Sequence, residues 1–442
     1  AGVDVETVEL LATAFDDPTL VYWGMGVNQS VRGTATSRAL VDCCLASGNV
    51  GPGSGPFSLT GQANSMGTRV CSSKGSWPGQ RTFTDPDHRR RVAEAWGVPV
   101  SDLPDDSGPG PVGIVESDPA VVWTVATNPL AGLPDADGAS GLFEDAFLVV
   151  QDAFHTETVE LADVVLPAAT WGESSGTAMN MERTVSRVRP ATGLPSGVHT
   201  DLDIVASVGV RVAPDLFPEP TPDPEAVFDE FARLTAGTDA DCSGIDYDRL
   251  DEELAVRWPA PDAETSGGYR YYDPETETWA FPTSTGRAQF SSYRSEETLD
   301  LPEPTSDEYP LTLTTARTAD GYNTGVRSRD SDDTGPVSAR VNPATVSTYS
   351  DQLTDDRTVL ESVRGSAPAT VEADEGIPEG VVWLPIHHPM TNHLTIAAVD
   401  PESNEPNYKQ CAVRLVAPES AVEAASDTTV PSDDPVPQEV GQ

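Results

Sequence analysis

The sequence predicts an α/β fold, with parallel-sheet Rossmann-like domains followed by an all-β barrel domain, and three observations carry that prediction. Residues 120–126 (AVVWTVA), 146–150 (AFLVV) and 163–166 (DVVL) are short apolar runs without polar alternation, separated by helix-sized gaps. That is the pattern of a parallel sheet buried on both faces. Each run ends in a polar elbow: TNPLAGLPD, QDAFHTET and PAATWGESSGT. After Tyr309 the texture changes to short strands, YPLTLTTA, RTVLESV, ATVEA, GVVWLPI and CAVRLV, which read as a compact all-β region.

Along the chain, residues 4–15 predict a helix with Val5, Val8, Leu11, Ala12 and Phe15 on one face. Residues 20–23 read as a buried strand, and residues 37–46 as a helix running into the glycine-rich loop SGNVGPGSGP. DPDHRRRVAEAWG is the clearest local signal: Asp85 as N-cap, Pro86 at the first helical position and Gly97 past the end. Residues 101–111 form an acidic Pro/Gly loop. From 190 to about 300 the chain is Pro-rich and acidic, with helical patches at 224–234 and 247–258 and a hairpin in YRYYDPETETWAFPTSTG. Residues 419–442 are acidic and Pro/Ser-rich, a composition that predicts disorder. The spans are then 1–55 and 56–185 for two α/β portions, 186–305 for a connecting region, 306–418 for the barrel and 419–442 for the tail.

Charge bounds the partners. Seventy-one acidic residues against 26 basic ones give a net charge of −45, and only Lys74 and Lys409 are lysines. Such a surface excludes nucleic acid, whose phosphates need clustered positive charge. The carboxylates are spread along the whole chain, which points to adaptation to high salt rather than to acidic tails. No run of about 18 apolar residues is present, so no membrane-spanning segment is predicted. Five cysteines without C-x-x-C spacing predict a reducing, cytoplasmic compartment.

In an open α/β sheet, ligands bind beyond the carboxyl ends of the strands. Four polar elbows stand at such ends: 24–29, 127–129, 151–152 and 173–177. Gly24 and Gly26 permit close approach of backbone to a large ligand. Asn28, Gln29, Asn128 and Asp152 have the donors and acceptors to read a purine or pterin edge, and an aspartate suits guanine. Ordinary turn chemistry accounts for any one elbow taken alone.

GMGVNQSVRGT, GPFSLTGQANSMGTR, TNPLAGLPD, VVQDAFHTETVELADVVLPAATWGE, GTAMNMERTVSRVR and NHLTIAAVDPESNEPNYKQCAVRLV occur in that order. Together they resemble the later part of the molybdopterin oxidoreductases of the dimethyl-sulfoxide-reductase family, over roughly residues 5–415. PFSLTGQ resembles the nitrate reductases of that family and, with the charge, the assimilatory enzymes of haloarchaea. The resemblance implies a molybdenum bis(molybdopterin guanine dinucleotide) cofactor and a barrel of double-psi type. It places Met25 and Gln29 at the metal pocket, Asn128, Gln151, Asp152 and Asp201 on the dinucleotide, and Arg69 as the active-site arginine. A guanidinium suits a planar anion such as nitrate. In the barrel, the loop TARTADGYNT implies contacts through Thr315, Arg317, Tyr322, Asn323 and Thr324, joined by Asn392 and Lys409. Tyr322-Asn323 stands where many relatives carry Trp-His, and Ser174 where some carry a cofactor-contacting lysine.

The implied activity is reduction of nitrate to nitrite, with a ferredoxin-type electron donor. The family's iron–sulfur cluster ([4Fe-4S]) and the protein ligand to molybdenum belong to an N-terminal half that this sequence does not contain. None of Cys43, Cys44, Cys71, Cys242 or Cys411 has the spacing to replace them. Taken alone, the chain is therefore expected to be inactive. A formate dehydrogenase-like molybdoenzyme shares most of these motifs, and a cofactor-free relative serving as a scaffold in an electron-transfer complex is a third reading.

Overall fold

The computed structural model describes residues 3–59, 62–72, 75–291, 301–319, 321–325 and 335–419. The predicted disordered tail, apart from its first residue, lies outside the described residues, as does Asp320 of the TARTADGYNT loop.

The chain opens with α1 (Val5–Ala14), capped by the Asp4 carboxylate, which accepts the Thr7 N–H at 2.7 Å. β1 (Leu20–Trp23) leads into the single turn α2 (Met25–Asn28), followed by α3 (Gly33–Ser47), β2 (Gly55–Ser58), α4 (Ser65–Cys71) and the small ladder of β3 (Ser76–Trp77) and β4 (Arg81–Thr82). α5 (Pro86–Trp96) is bounded as predicted: Asp85 caps it, Pro86 begins it, and Gly97 ends it in the left-handed region at φ 68°. α6 (Gly110–Glu116) starts inside the stretch read as an acidic loop. Then come β5 (Val121–Val125), α7 (Pro129–Gly132), α8 (Ala136–Asp145), β6 (Phe147–Asp152), α9 (Glu157–Glu160) and β7 (Val164–Pro167). The connecting region holds β8 (Gly176–Met179), β9 (Thr184–Val188), α10 (Asp201–Val212), α11 (Pro224–Thr235), α12 (Tyr247–Glu253), β10 (Ala255–Arg257) and the hairpin β11 (Tyr272–Asp273) and β12 (Thr278–Trp279). Residues 255–257 are not helical as predicted. Leu254 takes φ 67°, which stops α12, and Ala255–Arg257 pairs with β9 instead.

The chain forms two compact units. The first comprises Ala1–Asn128, Gly141–Leu299 and Val399–Pro406; the second comprises Pro129–Ser140, Asp300–Ala398 and Asn407–Gln442.

In the first unit β1 and β2 pair in parallel, and β5, β6 and β7 form a parallel sheet in that order. A core of Val185, Phe228, Tyr247, Leu250, Val256 and Trp258 packs α11 and α12 on the antiparallel sheet β10–β9–β8. The parallel sheet corrects one expectation. Val122, Leu148 and Val150 are buried, but Val121, Trp123, Val125 and Phe147 are exposed. An all-apolar strand needs cover on both faces, and this unit supplies it on one. The same holds for β1, read as buried, where Leu20 and Tyr22 are exposed, and for α1, which buries no residue.

The second unit is a closed barrel built from β13 (Leu311–Ala316), β14 (Val337–Val341), β15 (Arg357–Glu361), β16 (Ser366–Ala373), β17 (Val381–Pro385) and β18 (Cys411–Val416). The strands run around it in the order β13-β17-β14-β16-β15-β18, with parallel pairs β13–β17 and β14–β16. β14, in VNPA-preceding VSARV, was not marked by the sequence pattern, yet Val337, Ala339 and Val341 are completely buried. Period-2 burial along β13 and β14 fills the interior with Leu311, Leu313, Leu360, Leu384 and Val413. Closure removes the free sheet edges. α13 (Pro343–Thr348) follows β14, with Asn342 capping it.

Candidate functional site

Because β5, β6 and β7 are parallel neighbours, their carboxyl ends open on one edge of the sheet, and that edge gathers Asn128, Gln151, Asp152 and Asp201. The Ala169 N–H donates to the His199 carbonyl at 2.8 Å, which brings residues 199–201 to the end of β7. There α10 begins at Asp201, capped by Thr200. Gln151 Nε2 donates to Asp201 Oδ1 at 2.6 Å. Gln151 is completely buried, and its Oε1 has no hydrogen-bond partner among the described residues. A buried amide oxygen without a donor costs about 1–3 kcal/mol, so this acceptor fits a ligand N–H. Asp152 is half-buried, and its Oδ1 accepts the Phe154 N–H at 2.9 Å, an Asx turn that orients the carboxylate.

Asn128 is also buried, but its amide is engaged within the protein. Nδ2 donates to Glu157 Oε2 at 2.7 Å, and Oδ1 accepts from Thr158 Oγ1 at 2.8 Å. Asn128 therefore ties the loop after β5 to α9. Glu157 and Thr158 carry no sequence signal for this role, since the tie depends on two elements meeting in space.

Met25 and Gln29 lie on the other parallel pair, at the end of β1. Gly24 precedes α2, and the Gln29 N–H closes its turn on the Met25 carbonyl at 2.8 Å. Asn28 braces this turn: its Oδ1 accepts from Trp23 Nε1 at 3.1 Å, and its Nδ2 lies 3.9 Å from Met25 Sδ. A Cβ built at Gly24 or Gly26 would meet nothing within 4 Å, whereas one at Gly33 would strike the Asn28 carbonyl oxygen at 2.3 Å. Packing within the chain thus demands glycine at 33 but not at 24 or 26, which border open space.

Arg69 sits in the last turn of α4. The helix forms because Val70 is completely buried and Met66 packs beside it. Asn64, ahead of α4 at φ 63°, accepts the Met179 N–H through Oδ1 at 2.9 Å. Arg69 is half-buried, and no ion pair among the described residues includes it.

In the second unit, Thr315 is the penultimate residue of β13, with its side chain buried and its Oγ1 donating to the Tyr408 carbonyl at 2.9 Å. Lys409 Nζ donates to the Thr315 carbonyl at 2.7 Å. Burial pushes the Lys409 amine down to about 8, and the neighbouring Arg317 guanidinium adds to the shift. Arg317 is exposed, with its Cζ 5.3 Å from the centre of the Tyr322 ring. Tyr322 and Asn323 are exposed and Thr324 is half-buried; Asn323 takes φ 50°. Gly321 lies against His387, where a Cβ would meet Nδ1 at 2.2 Å.

Asn392 is buried: Nδ2 donates to the Ala131 carbonyl at 2.8 Å, and Oδ1 accepts from Thr395 Oγ1 at 3.2 Å. With the Tyr408 hydroxyl donating to the Gly132 carbonyl at 2.6 Å, it fastens α7 to the barrel. His393 Nδ1 pairs with Asp137 at 2.7 Å in the same place. All five cysteines carry free thiols; of the neighbours in α3, Cys44 is buried and Cys43 is exposed.

The chain thus holds a mixed-strand barrel in one unit and, in the other, a parallel sheet whose carboxyl edge carries an orphaned acceptor, and comparison specifies the class of α/β protein. The molybdopterin oxidoreductase family model matches residues 10–211, and the molydopterin dinucleotide binding domain model matches residues 311–412. The chain belongs to the molybdopterin oxidoreductase family. It is 67% identical to the assimilatory nitrate reductase of Haloferax mediterranei over 96% of this chain and 60% of that protein. It is 32% identical to a nitrate reductase of Synechocystis sp. over 94% of this chain and 60% of that protein. The F420-dependent formate dehydrogenase 1 subunit alpha of Methanococcus maripaludis is 28% identical, over 93% of this chain and 60% of its own length. The solved acetylene hydratase of Pelobacter acetylenicus shares the fold, at a TM-score of 0.63 and 15% identity, covering 94% of this chain and 63% of that one. The chain spans about three fifths of the length of these relatives. Among the described residues no helix is long and apolar enough to cross a membrane.

Proposed function

We propose that the chain is the dinucleotide-holding part of a molybdenum bis(molybdopterin guanine dinucleotide) enzyme that reduces nitrate to nitrite in nitrogen assimilation. The observation that carries the cofactor reading is the buried, unpartnered Oε1 of Gln151 at the carboxyl edge of β6, beside Asp152. Guanine offers N–H groups to an amide oxygen and a carboxylate, so Gln151 and Asp152 would hold it while Asp201 orients the Gln151 amide. Asn128 and Asn392 hold their loops in place, and Lys409 with Arg317 would meet anionic groups of the ligand. The cofactor, when bound, supplies the redox chemistry; Arg69 binds and orients the planar anion. The likeness to the Haloferax mediterranei assimilatory nitrate reductase supports nitrate as the substrate. By the same proposal the enzyme is cytoplasmic and salt-adapted, with an iron–sulfur cluster in the part not spanned here and a ferredoxin-type donor.

Formate dehydrogenases among the relatives favour a second reading, formate oxidation. A full-length protein carrying this chain, assayed with reduced viologen and nitrate and with formate and an electron acceptor, separates the two. Nitrate turnover is expected, and formate turnover in its place overturns the proposal. Arg69→Lys keeps the charge but loses the planar fork, so kcat/KM for nitrate should fall at least about tenfold while melting is unchanged.

A further inference from the structure

A guanidinium that folding partly strips of water needs acceptors for its N–H donors, and 71 acidic residues leave this chain well supplied with them. The arginines of the first unit follow that rule. Arg81, Arg89 and Arg183, all half-buried, donate to main-chain carbonyls, while Arg187, Arg249 and Arg270 reach carboxylates. Arg32 and Arg69 break it. Both are half-buried, yet neither guanidinium has an ion pair or a hydrogen bond among the described residues. Arg233 and Arg287 are unpaired as well, but they stand exposed, where water serves the donors.

Both exceptions follow the parallel pair of β1 and β2, whose carboxyl ends share one edge. Arg32 belongs to the elbow after β1. Its N–H donates to Ser30 Oγ at 3.1 Å, the Gly33 N–H donates to the Ser30 carbonyl at 2.9 Å, and Gly33 lies too close to the Asn28 carbonyl for any side chain. Arg32 is thereby fixed to the turn that carries Met25 and Gln29, where Gly24 and Gly26 border open space. The loop after β2 leads into α4 and Arg69. We infer that Arg32 is a second oxyanion-binding residue, which takes the planar substrate anion ahead of Arg69. The inference rests on the anionic substrate proposed above, and a fork of N–H donors suits nitrate and formate alike. Phosphates of a dinucleotide share that chemistry. The cofactor, however, binds once, whereas the substrate approaches a chain of net charge −45 at every turnover, and an unpaired cation offsets that repulsion locally.

The test uses the full-length protein carrying this chain, in concentrated KCl, as wild type, Arg32→Gln, Arg32→Lys and, for an equal change of charge at an exposed site, Arg233→Gln. In Arg32→Gln, KM for nitrate should rise at least about fivefold with kcat unchanged, the mark of binding lost equally from ground and transition states. Arg32→Lys keeps the charge and loses the fork, so its KM should fall between those of wild type and Arg32→Gln, while Arg233→Gln should match wild type. Guanine and molybdenum contents and melting temperature should be equal in all of them. A wild-type enzyme that turns over formate in place of nitrate would remove the nitrate reading alone, and the same KM comparison made with formate then decides the role of Arg32. An unchanged KM in Arg32→Gln, a rise equalled by Arg233→Gln, a loss of guanine and molybdenum that assigns Arg32 to a phosphate, or early melting of both Arg32 variants would each overturn the inference.

Discussion

Gln151 and Asp201 are joined by one 2.6 Å hydrogen bond that uses the glutamine's nitrogen and strands its oxygen in the interior. An enzyme part built only for stability has no use for such an acceptor. Gln151→Leu preserves volume and removes it. The lone chain should then melt at the same temperature or higher, by up to about 1–2 kcal/mol, whereas the full-length protein should retain less guanine nucleotide. Early melting of the lone chain together with undiminished guanine content would contradict the role given to Gln151.

Lys409 should titrate far below an ordinary lysine. Its amine sits at about 8 against the usual 10.5, because burial, aided by Arg317, disfavours the charge. Between those values the unfolded chain holds a proton that the folded chain lacks, so stability rises with pH across that window and the full penalty persists below it. With Lys74 as the other lysine, nitrogen-15 spectra of the lysine side chains contain two signals to follow. One midpoint near 8 is predicted, moving upward when the anionic ligand binds; two midpoints near 10.5 in the ligand-free chain would refute it.

Glu303 and Arg364 form a bidentate pair at 2.7 and 2.8 Å, and Glu303 Oε2 also accepts the Ala412 N–H at 2.8 Å. Burial by itself would raise the Glu303 carboxyl, but the Arg364 and Ala412 donors outweigh it and hold it below 4.5. A depressed carboxylate contributes stability above its ordinary value and loses it as pH falls through the folded one. Glu303→Gln should cost about 2 kcal/mol at neutral pH, and the difference from wild type should shrink below pH 4.5. A difference that stays constant with pH would assign the cost to packing instead.

Salt should matter throughout. At −45 the folded chain repels itself, and screening shortens from about 10 Å at 0.1 M to about 3 Å at 1 M salt. Melting temperature should rise markedly between about 0.1 M and about 2 M KCl. Equal values would remove the salt-adaptation reading.

What could be read from the sequence was local chemistry. Asp85, Pro86 and Gly97 delimit α5 because cap, first turn and left-handed stop are each written in one residue. The runs at β5, β6 and β7 gave a parallel sheet because unbroken apolar strands have few other uses. What could not be read was pairing at a distance. β14 is half polar, and it becomes a strand because β16 and β17 flank it. Gln151 and Asp152 were legible as an elbow, but the Gln151–Asp201 bond spans 50 residues and exists only once β7 meets the chain at His199. Asn128 and Asn392 read as ligand contacts, and each also bonds within the protein, Asn128 to Glu157 and Thr158 and Asn392 to Ala131 and Thr395, contacts that no spacing announces.

The central claim is that the carboxyl edge of β6 holds guanine. The most direct measurement is the guanine nucleotide and molybdenum released on denaturing the purified full-length protein, for wild type and for Asp152→Ala. Asp152 is half-buried, and its removal deletes the turn bond to the Phe154 N–H, so stability should fall by about 1 kcal/mol. The account predicts guanine and molybdenum together in the wild-type protein and a loss of at least about tenfold in dinucleotide affinity in the variant, the worth of one buried charge-assisted hydrogen bond or more. Guanine and molybdenum contents identical in the two proteins, or a wild-type protein containing neither, would contradict it.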